Sequence, residues 1–182
     1  LPGTIGIGHT RWATHGVPNE TNAHPHFSSG VAVVHNGIIE NFRELRDRLT
    51  ADGYTFSSQT DTEVVAHLVA QGLRQGLDAR AAAQRAISQL RGAYAIAVLF
   101  GEGADGGMLV GARNGPPLAI GHGEGEMYLG SDAIALAPFT NRITYLEDGD
   151  WCVLTRAGAE IYDAGGARVE RALQRSIGSA LL

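Results

Sequence analysis

The sequence has 182 residues, 44% of them hydrophobic, so it is long enough to bury the core of a single domain. Its net charge is −5 and all fourteen basic residues are arginine, which argues against a nucleic-acid partner and excludes a Schiff base on a lysine of this chain. The single cysteine excludes an internal disulfide, and no apolar run could cross a bilayer, so we expect a cytoplasmic protein without a membrane partner.

The first forty residues alternate apolar segments with polar, glycine-bounded loops. Residues 4–8 are predicted as a short strand that leads into the loop "GHTRWATHG". The sequence begins with a leucine inside this pattern, so we expect further chain ahead of Leu1. Residues 31–37, "VAVVHNG", are a continuous apolar run, which predicts a strand buried on both faces.

Three helices are predicted next, as one block. Apolar residues at helical spacing indicate a helix within 40–53, and the pattern Thr60-x-x-Glu63 resembles a capping box that would open a second helix. The alanine-rich segment 78–90 predicts the third helix.

The remaining chain is predicted to be mostly strands joined by glycine-rich turns. The predicted strands are 93–100, 108–112, 118–121, 127–130, 143–146 and 151–155, with a helical turn at 132–137 and a hairpin within 161–170. A helical block with strands on both sides predicts an α+β domain whose sheets are covered by helices. We place this domain at 1–170 and interpret 171–182 as the start of a linker.

Four polar segments at the edges of apolar elements could carry chemistry. They are the loop with His9, Thr10, Arg11, Trp12, Thr14 and His15; "NAHPH" at 22–26; "HNG" at 35–37; and "QTDTE" at 59–63. In "HNG", the side-chain NH₂ of Asn36 and the backbone N–H of Gly37 could form a two-donor oxyanion site. The alternative is a type I′ hairpin turn, for which Asn-Gly is the commonest sequence, although a predicted helix follows instead of a return strand.

Charged residues in two of these segments suggest recognition of an amino acid. Arg11 could hold a carboxylate through two parallel N–H bonds, or could pair with an acid of its own fold. Asp61 precedes a predicted helix, so it could cap that helix, or face a cleft and hold an ammonium group. Trp12 could be a core anchor or a lid over a ligand.

Two further chemistries are less favoured by the residues. His24 and His26, together with His9, His15 and His35, could bind zinc. There is no His-Glu-x-x-His pattern and His24-Pro25-His26 has no matching pair, so histidines hydrogen-bonded within a polar core or loop are the preferred interpretation. Cys152 alternates with apolar residues in a predicted strand, which indicates a buried hydrophobe and not a nucleophile.

In their order, the segments "GHTRWATHG", "NAHPH", "HNGIIENF", "SQTDTEVVAHL", "QLRGAYA" and "GSDAIAL" resemble the glutaminase domains of class II glutamine amidotransferases. "WATHG" and "HNGIIEN" are most similar to the branch of that family that aminates fructose 6-phosphate to glucosamine 6-phosphate; the amidophosphoribosyltransferase branch is the alternative. The resemblance implies a four-layer αββα sandwich of the N-terminal-nucleophile hydrolase type, here lacking its N-terminal segment.

The resemblance also implies a mechanism and roles for individual residues. A cysteine at the N-terminus of the mature chain attacks the side-chain amide of L-glutamine, with its own α-amino group as base and no cofactor or metal. Asn36 and Gly37 would form the oxyanion hole, Arg11 would hold the α-carboxylate and Asp61 the α-ammonium group of glutamine.

The remaining roles concern the lid and the partners. Thr14 and His15, on the lid loop, would line the glutamine site, Trp12 would gate the path of ammonia, and His24 would be a hinge or inter-domain contact. The implied partners are a sugar isomerase domain of the same full-length chain and a second copy in a homodimer. Because the attacking cysteine is not within these 182 residues, we expect this chain alone to lack glutaminase activity, and a non-catalytic glutamine-sensing module is the other alternative.

Overall fold

The computed structural model of the chain describes residues 3–10, 15–101 and 107–175. In these ranges the elements are β1 (His26–Ser28), β2 (Val31–Ile39), α1 (Phe42–Ala51), α2 (Glu63–Arg74), α3 (Ala79–Ser88), β3 (Gly92–Phe100), β4 (Met108–Asn114), β5 (Ala119–His122), β6 (Met127–Gly130), α4 (Ala133–Leu136), β7 (Arg142–Tyr145), β8 (Trp151–Thr155), β9 (Gly158–Tyr162), β10 (Arg168–Val169) and β11 (Leu173–Arg175). None of the helices in these ranges is long and apolar enough to cross a membrane.

The described strands form two antiparallel sheets. One has seven strands in the order β1-β2-β3-β4-β8-β9-β10, and the other has four in the order β11-β7-β5-β6. Hairpins and short connections dominate, as the many glycine-rich turns of the sequence predict.

The two sheets and the helices stack in four layers. Alternate side chains of the large sheet, such as Ile96 and Val110, pack against α1, α2 and α3. Residues that point to the opposite face, such as Ala95 and Cys152, pack against the small sheet. The outer face of the small sheet is covered by α4 through Leu136. The predicted αββα sandwich is therefore confirmed.

The helices agree with their predictions except at the start of α2. α1 ends before Gly53, whose φ of +91° suits glycine, and Asp78 caps α3 by accepting a hydrogen bond from the Ala81 N–H at 2.8 Å. The capping box at residues 60–63 is wrong. The residue before α2 is Thr62, which makes no side-chain cap, and the Glu63 carboxylate accepts hydrogen bonds from the preceding loop instead.

Three other differences concern strands. Residues 4–8 do not form the predicted strand, in keeping with the two glycines that leave it few side chains to pack. β1 and β11 are short and were not predicted, because three residues give too little periodicity to detect. β11 lies within 171–182, where its residues pair with β7, and the domain boundary near residue 170 stays a prediction.

Candidate functional site

β2 carries Asn36 and Gly37 inside the strand and not in a turn. They pair with Ala95 and Tyr94 of β3, and the strand continues to Ile39. The hairpin-turn alternative is therefore wrong, and so is the expectation that the strand ends at residue 37. Residues 31–35 are buried, as predicted, whereas Asn36 is exposed and Gly37 is half-buried.

Glycine is required at position 37 by both backbone geometry and space. Its φ is +116°, a conformation that residues with a Cβ rarely adopt. A Cβ there would lie 2.1 Å from the Ala93 carbonyl oxygen on β3. The sequence therefore uses glycine to bring two strands together where the backbone departs from ordinary strand geometry.

The Asn36 side chain faces a cavity between the two sheets. This cavity has a volume of about 360 Å³ and is lined by the loop at 8–10, by β2 and β3, and by the end of β6. His9 also lines it, and His9 Nε2 lies 2.6 Å from Asn36 Oδ1. An exposed amide beside a half-enclosed space can donate hydrogen bonds to a ligand.

Asp61 is tied to the same strand. Its carboxylate is almost completely buried, and Oδ2 accepts a hydrogen bond of 2.8 Å from the Ile39 N–H. His15 Nδ1 lies 3.8 Å from Oδ1, and His35 Nδ1 lies 3.9 Å from Oδ2. Asp61 therefore does not cap α2, and the alternative in which it serves only as a helix cap is wrong.

A hydroxyl links the histidines around Asp61. Thr62 Oγ1 lies 2.9 Å from His24 Nε2 and 3.1 Å from His35 Nδ1. Burial lowers the pKa of His35 to about 4; nearby Asp61 opposes this shift, while His9 and His15 add to it. The His35 imidazole is therefore neutral near pH 7, so it contributes hydrogen bonds and not charge to the site.

A second group of polar contacts supports the loop that carries Asp61. Glu63 accepts hydrogen bonds from the backbone N–H groups of Ser57 and Ser58, each at 2.8 Å, and His67 Nε2 lies 3.5 Å from its Oε1. Burial alone would raise the pKa of Glu63, but the hydrogen bonds from His67, Ser57 and Ser58 outweigh burial and hold it well below its ordinary value. An ionised carboxylate thus anchors the loop.

The metal alternative finds no support in the described part of the chain. No three His, Cys, Asp or Glu side chains within it are grouped as ligands of a metal ion. The histidines near Asn36 and Asp61 instead contact hydroxyls and one another, as in the ring stacking of His9 on His24 at 4.3 Å.

The cysteine of the chain lies away from solvent. Cys152 is fully buried between the sheets, and burial raises the pKa of its thiol to about 12. A nucleophilic cysteine needs an accessible thiolate, so Cys152 is unsuited to this role, as predicted.

Several predicted site residues lie in one contact network. Described contacts connect His15, His24, Asn36 and Asp61, and Gly37 follows Asn36 in β2. Arg11, Trp12 and Thr14 lie outside the described residues. The sequence assigned no role to Thr62, and none to His9 or His35 beyond possible zinc binding. The polar segments contain all three, but only the fold shows what they contact.

The family model described as glutamine amidotransferase domain matches residues 9–138. The chain belongs to this family. Over all 182 residues, the amidotransferase chain is 68% identical to a glutamine–fructose-6-phosphate aminotransferase (isomerizing) of Mesorhizobium japonicum and 63% identical to one of Rhizobium meliloti. It spans about 30% of the length of these curated relatives.

Solved structures of amidotransferases share the fold. The glutamine phosphoribosylpyrophosphate amidotransferase of B. subtilis, solved with ADP and GMP, matches 86% of this chain and 34% of its own, at a TM-score of 0.69 and 27% identity. A glutamine aminotransferase class-II domain protein from Silicibacter pomeroyi matches at a TM-score of 0.59 and 23% identity, covering 82% of this chain and 74% of its own. The second likeness concerns the fold alone.

Proposed function

We propose that this amidotransferase domain binds L-glutamine and, within a longer protein, releases its amide nitrogen as ammonia for converting fructose 6-phosphate to glucosamine 6-phosphate. The observation that supports this proposal most directly is that one strand holds both Asn36 and Asp61 in place. The Asp61 carboxylate accepts a hydrogen bond from the N–H of Ile39, three residues beyond Asn36 in β2. A buried anion and a pair of amide donors tied to one strand suit, respectively, the α-ammonium group and the side-chain carbonyl oxygen of glutamine. The names of the relatives at 68% and 63% identity favour the sugar phosphate as acceptor.

The proposed roles follow from charge and hydrogen-bonding capacity. Asp61 binds the α-ammonium group of glutamine, and Arg11 binds its α-carboxylate. The Asn36 NH₂ and the Gly37 N–H bind the side-chain carbonyl oxygen, which becomes an oxyanion when a thiolate attacks the amide carbon. One such donor is typically worth about 2.7–4 kcal/mol in the transition state.

The loop residues have proposed roles in closure. His15 lies 3.8 Å from Asp61, so it can orient that carboxylate when the loop covers the ligand. Thr14, on the same loop, lines the glutamine site, Trp12 gates the path of ammonia, and His24 serves as the hinge through its hydrogen bond to Thr62. A closed loop excludes water, which protects the thioester from early hydrolysis.

The attacking thiol has to come from a cysteine other than Cys152, whose thiol is buried and has a raised pKa. We propose a cysteine at the mature N-terminus, in a segment ahead of Leu1. Its α-amino group takes the thiol proton, ammonia leaves as the thioester forms, and water then releases glutamate. The 182 residues alone are therefore expected to bind glutamine without hydrolysing it. The further proposed partners are a sugar isomerase domain in the same protein and a second copy of it.

Glutamine hydrolysis by the full-length gene product tests the proposal. The product formed with fructose 6-phosphate and with phosphoribosyl diphosphate is measured in parallel, and N36A, which lacks one proposed oxyanion donor, serves as the matched variant with strongly reduced hydrolysis. We expect glutamate release, and glucosamine 6-phosphate only with the first acceptor. Transfer to phosphoribosyl diphosphate would favour the amidophosphoribosyltransferase alternative. Glutamine binding without any hydrolysis would identify a non-catalytic glutamine-sensing module.

A further inference from the structure

We propose that His9 is a positioning residue, which fixes the Asn36 amide so that its NH₂ and not its oxygen faces the substrate. This inference rests on the proposed function, because it concerns the oxyanion site of the same reaction. The relevant contact is the 2.6 Å separation between His9 Nε2 and Asn36 Oδ1.

An asparagine amide can occupy one place in two orientations, and only one of them provides a donor to an oxyanion. Rotation by 180° exchanges NH₂ for a carbonyl oxygen, which would repel the developing negative charge. Asn36 is exposed, and within the described part of the chain its side chain has this one hydrogen bond to a protein group. A proton on His9 Nε2 therefore selects the orientation in which Oδ1 points to His9 and the NH₂ is left for the substrate.

His9 is itself held in place by the site. Its ring stacks on that of His24 with 4.3 Å between centroids and 30° between planes. His24 Nε2 is bonded to Thr62 Oγ1, and Thr62 directly follows Asp61. The stack therefore couples the position of the oxyanion donor to the loop that carries the carboxylate.

This role predicts a defect in turnover and not in binding. Without His9, the Asn36 amide samples both orientations, while the groups proposed to hold the ends of glutamine are unchanged. Removing one oxyanion donor completely typically lowers kcat by about 10²–10³. Misorientation for part of the time costs less, so we expect kcat to fall by about 10- to 100-fold with KM changed less than about twofold.

A matched pair of variants in the full-length gene product tests the role. In H9Q, the side-chain amide nitrogen can reach the place of His9 Nε2 and still donate, whereas the amide of H9N is one carbon shorter and falls short. We expect H9Q to retain most of the wild-type kcat, and the kcat of H9N to fall by about 10- to 100-fold. In the H9N/N36A double variant, kcat should be no lower than in N36A, because both changes remove the same donor.

The outcomes separate this inference from the proposed function. If the wild type is active, three results would overturn the positioning role and leave the proposed glutaminase function intact. These are equal activity of H9N and H9Q, equal impairment of both variants, or a change in KM without a change in kcat. An inactive wild type would overturn the proposed function instead. Independently of activity, ¹⁵N spectra of the 182-residue chain report the His9 tautomer, and an Nε2 that bears no proton would overturn the inference.

Discussion

Replacing Gly37 by alanine tests how the backbone forms the site. The new Cβ would lie 2.1 Å from the Ala93 carbonyl oxygen, whereas an ordinary carbon–oxygen contact is about 3.3 Å, so the strands have to separate by about 1 Å. A residue with a Cβ at φ +116° costs about 1–2 kcal/mol, and relieving such an overlap typically costs a further 1–3 kcal/mol. We therefore expect G37A to lower the free energy of unfolding by about 2–5 kcal/mol.

G30A provides the matched control for this change. Gly30 has a φ of +80° at one end of β2, but a Cβ there would have no atom within 4 Å. G30A should therefore cost only the backbone part, about 1 kcal/mol. Urea unfolding of both variants measures the difference. If G37A and G30A lowered the free energy of unfolding equally, to within about 0.5 kcal/mol, the argument from the close approach of the two strands would be refuted. In the full-length gene product, G37A should also lose at least tenfold in glutamine hydrolysis, whereas G30A should not.

Three other predictions concern buried titratable groups. His35 has a pKa of about 4 in the folded chain and near 6.5 in the unfolded chain, so the unfolded chain binds more protons between these pH values. The free energy of unfolding should therefore fall by up to about 3 kcal/mol as the pH drops from 6.5 to 4. Urea unfolding of H35N over this pH range should show a smaller fall. Glu63 has a lowered pKa in the folded chain, so its contribution to stability is fully present above the unfolded pKa of 4.5 and is lost as the pH falls through the folded pKa. At pH 7, E63Q should lower the free energy of unfolding by about 2–4 kcal/mol, measured by chemical denaturation. Cys152, with its pKa raised to about 12, should react with a thiol reagent only as fast as the chain unfolds.

Each of these predictions has an outcome that contradicts it. If wild type and H35N showed parallel stability profiles from pH 4 to 6.5, His35 would not be the buried neutral group described. E44Q, in the exposed first turn of α1, is the control for E63Q, and equal effects would mean that the hydrogen bonds at Glu63 add nothing beyond helix electrostatics. Rapid modification of Cys152 in the folded chain would show that its burial is not maintained in solution.

Much of the fold follows from local patterns in the sequence. The alternation of glycine-rich turns with short apolar runs locates β3 to β9 to within a few residues, because strand side chains and turn residues leave strong local signals. α3 begins after Asp78 as predicted, since a cap needs only neighbouring residues.

The errors occur where a distant contact competes with a local one. Thr60 fits a capping box, but in the fold its hydroxyl lies 2.8 Å from His26 Nε2, thirty-four residues away, and Glu63 bonds the loop at Ser57 and Ser58. Asn36-Gly37 fits a hairpin turn locally, yet pairing with β3 carries the chain straight on.

The site shows the same division between local and distant information. Asn36, Gly37 and Asp61 could be selected from the sequence because their residue types suit an oxyanion and an ammonium group. The contact between His9 and Asn36 spans twenty-seven residues, and that between His35 and Thr62 spans twenty-seven as well, so neither leaves a local pattern.

A crystal structure of L-glutamine bound to the full-length gene product, with the attacking cysteine replaced by alanine, tests the central claim most directly. We expect the side-chain carbonyl oxygen of glutamine about 2.7–3.1 Å from both Asn36 Nδ2 and the Gly37 N, with its α-ammonium group against Asp61. Glutamine bound in the protein with Asn36, Gly37 and Asp61 contacting no common ligand would contradict it.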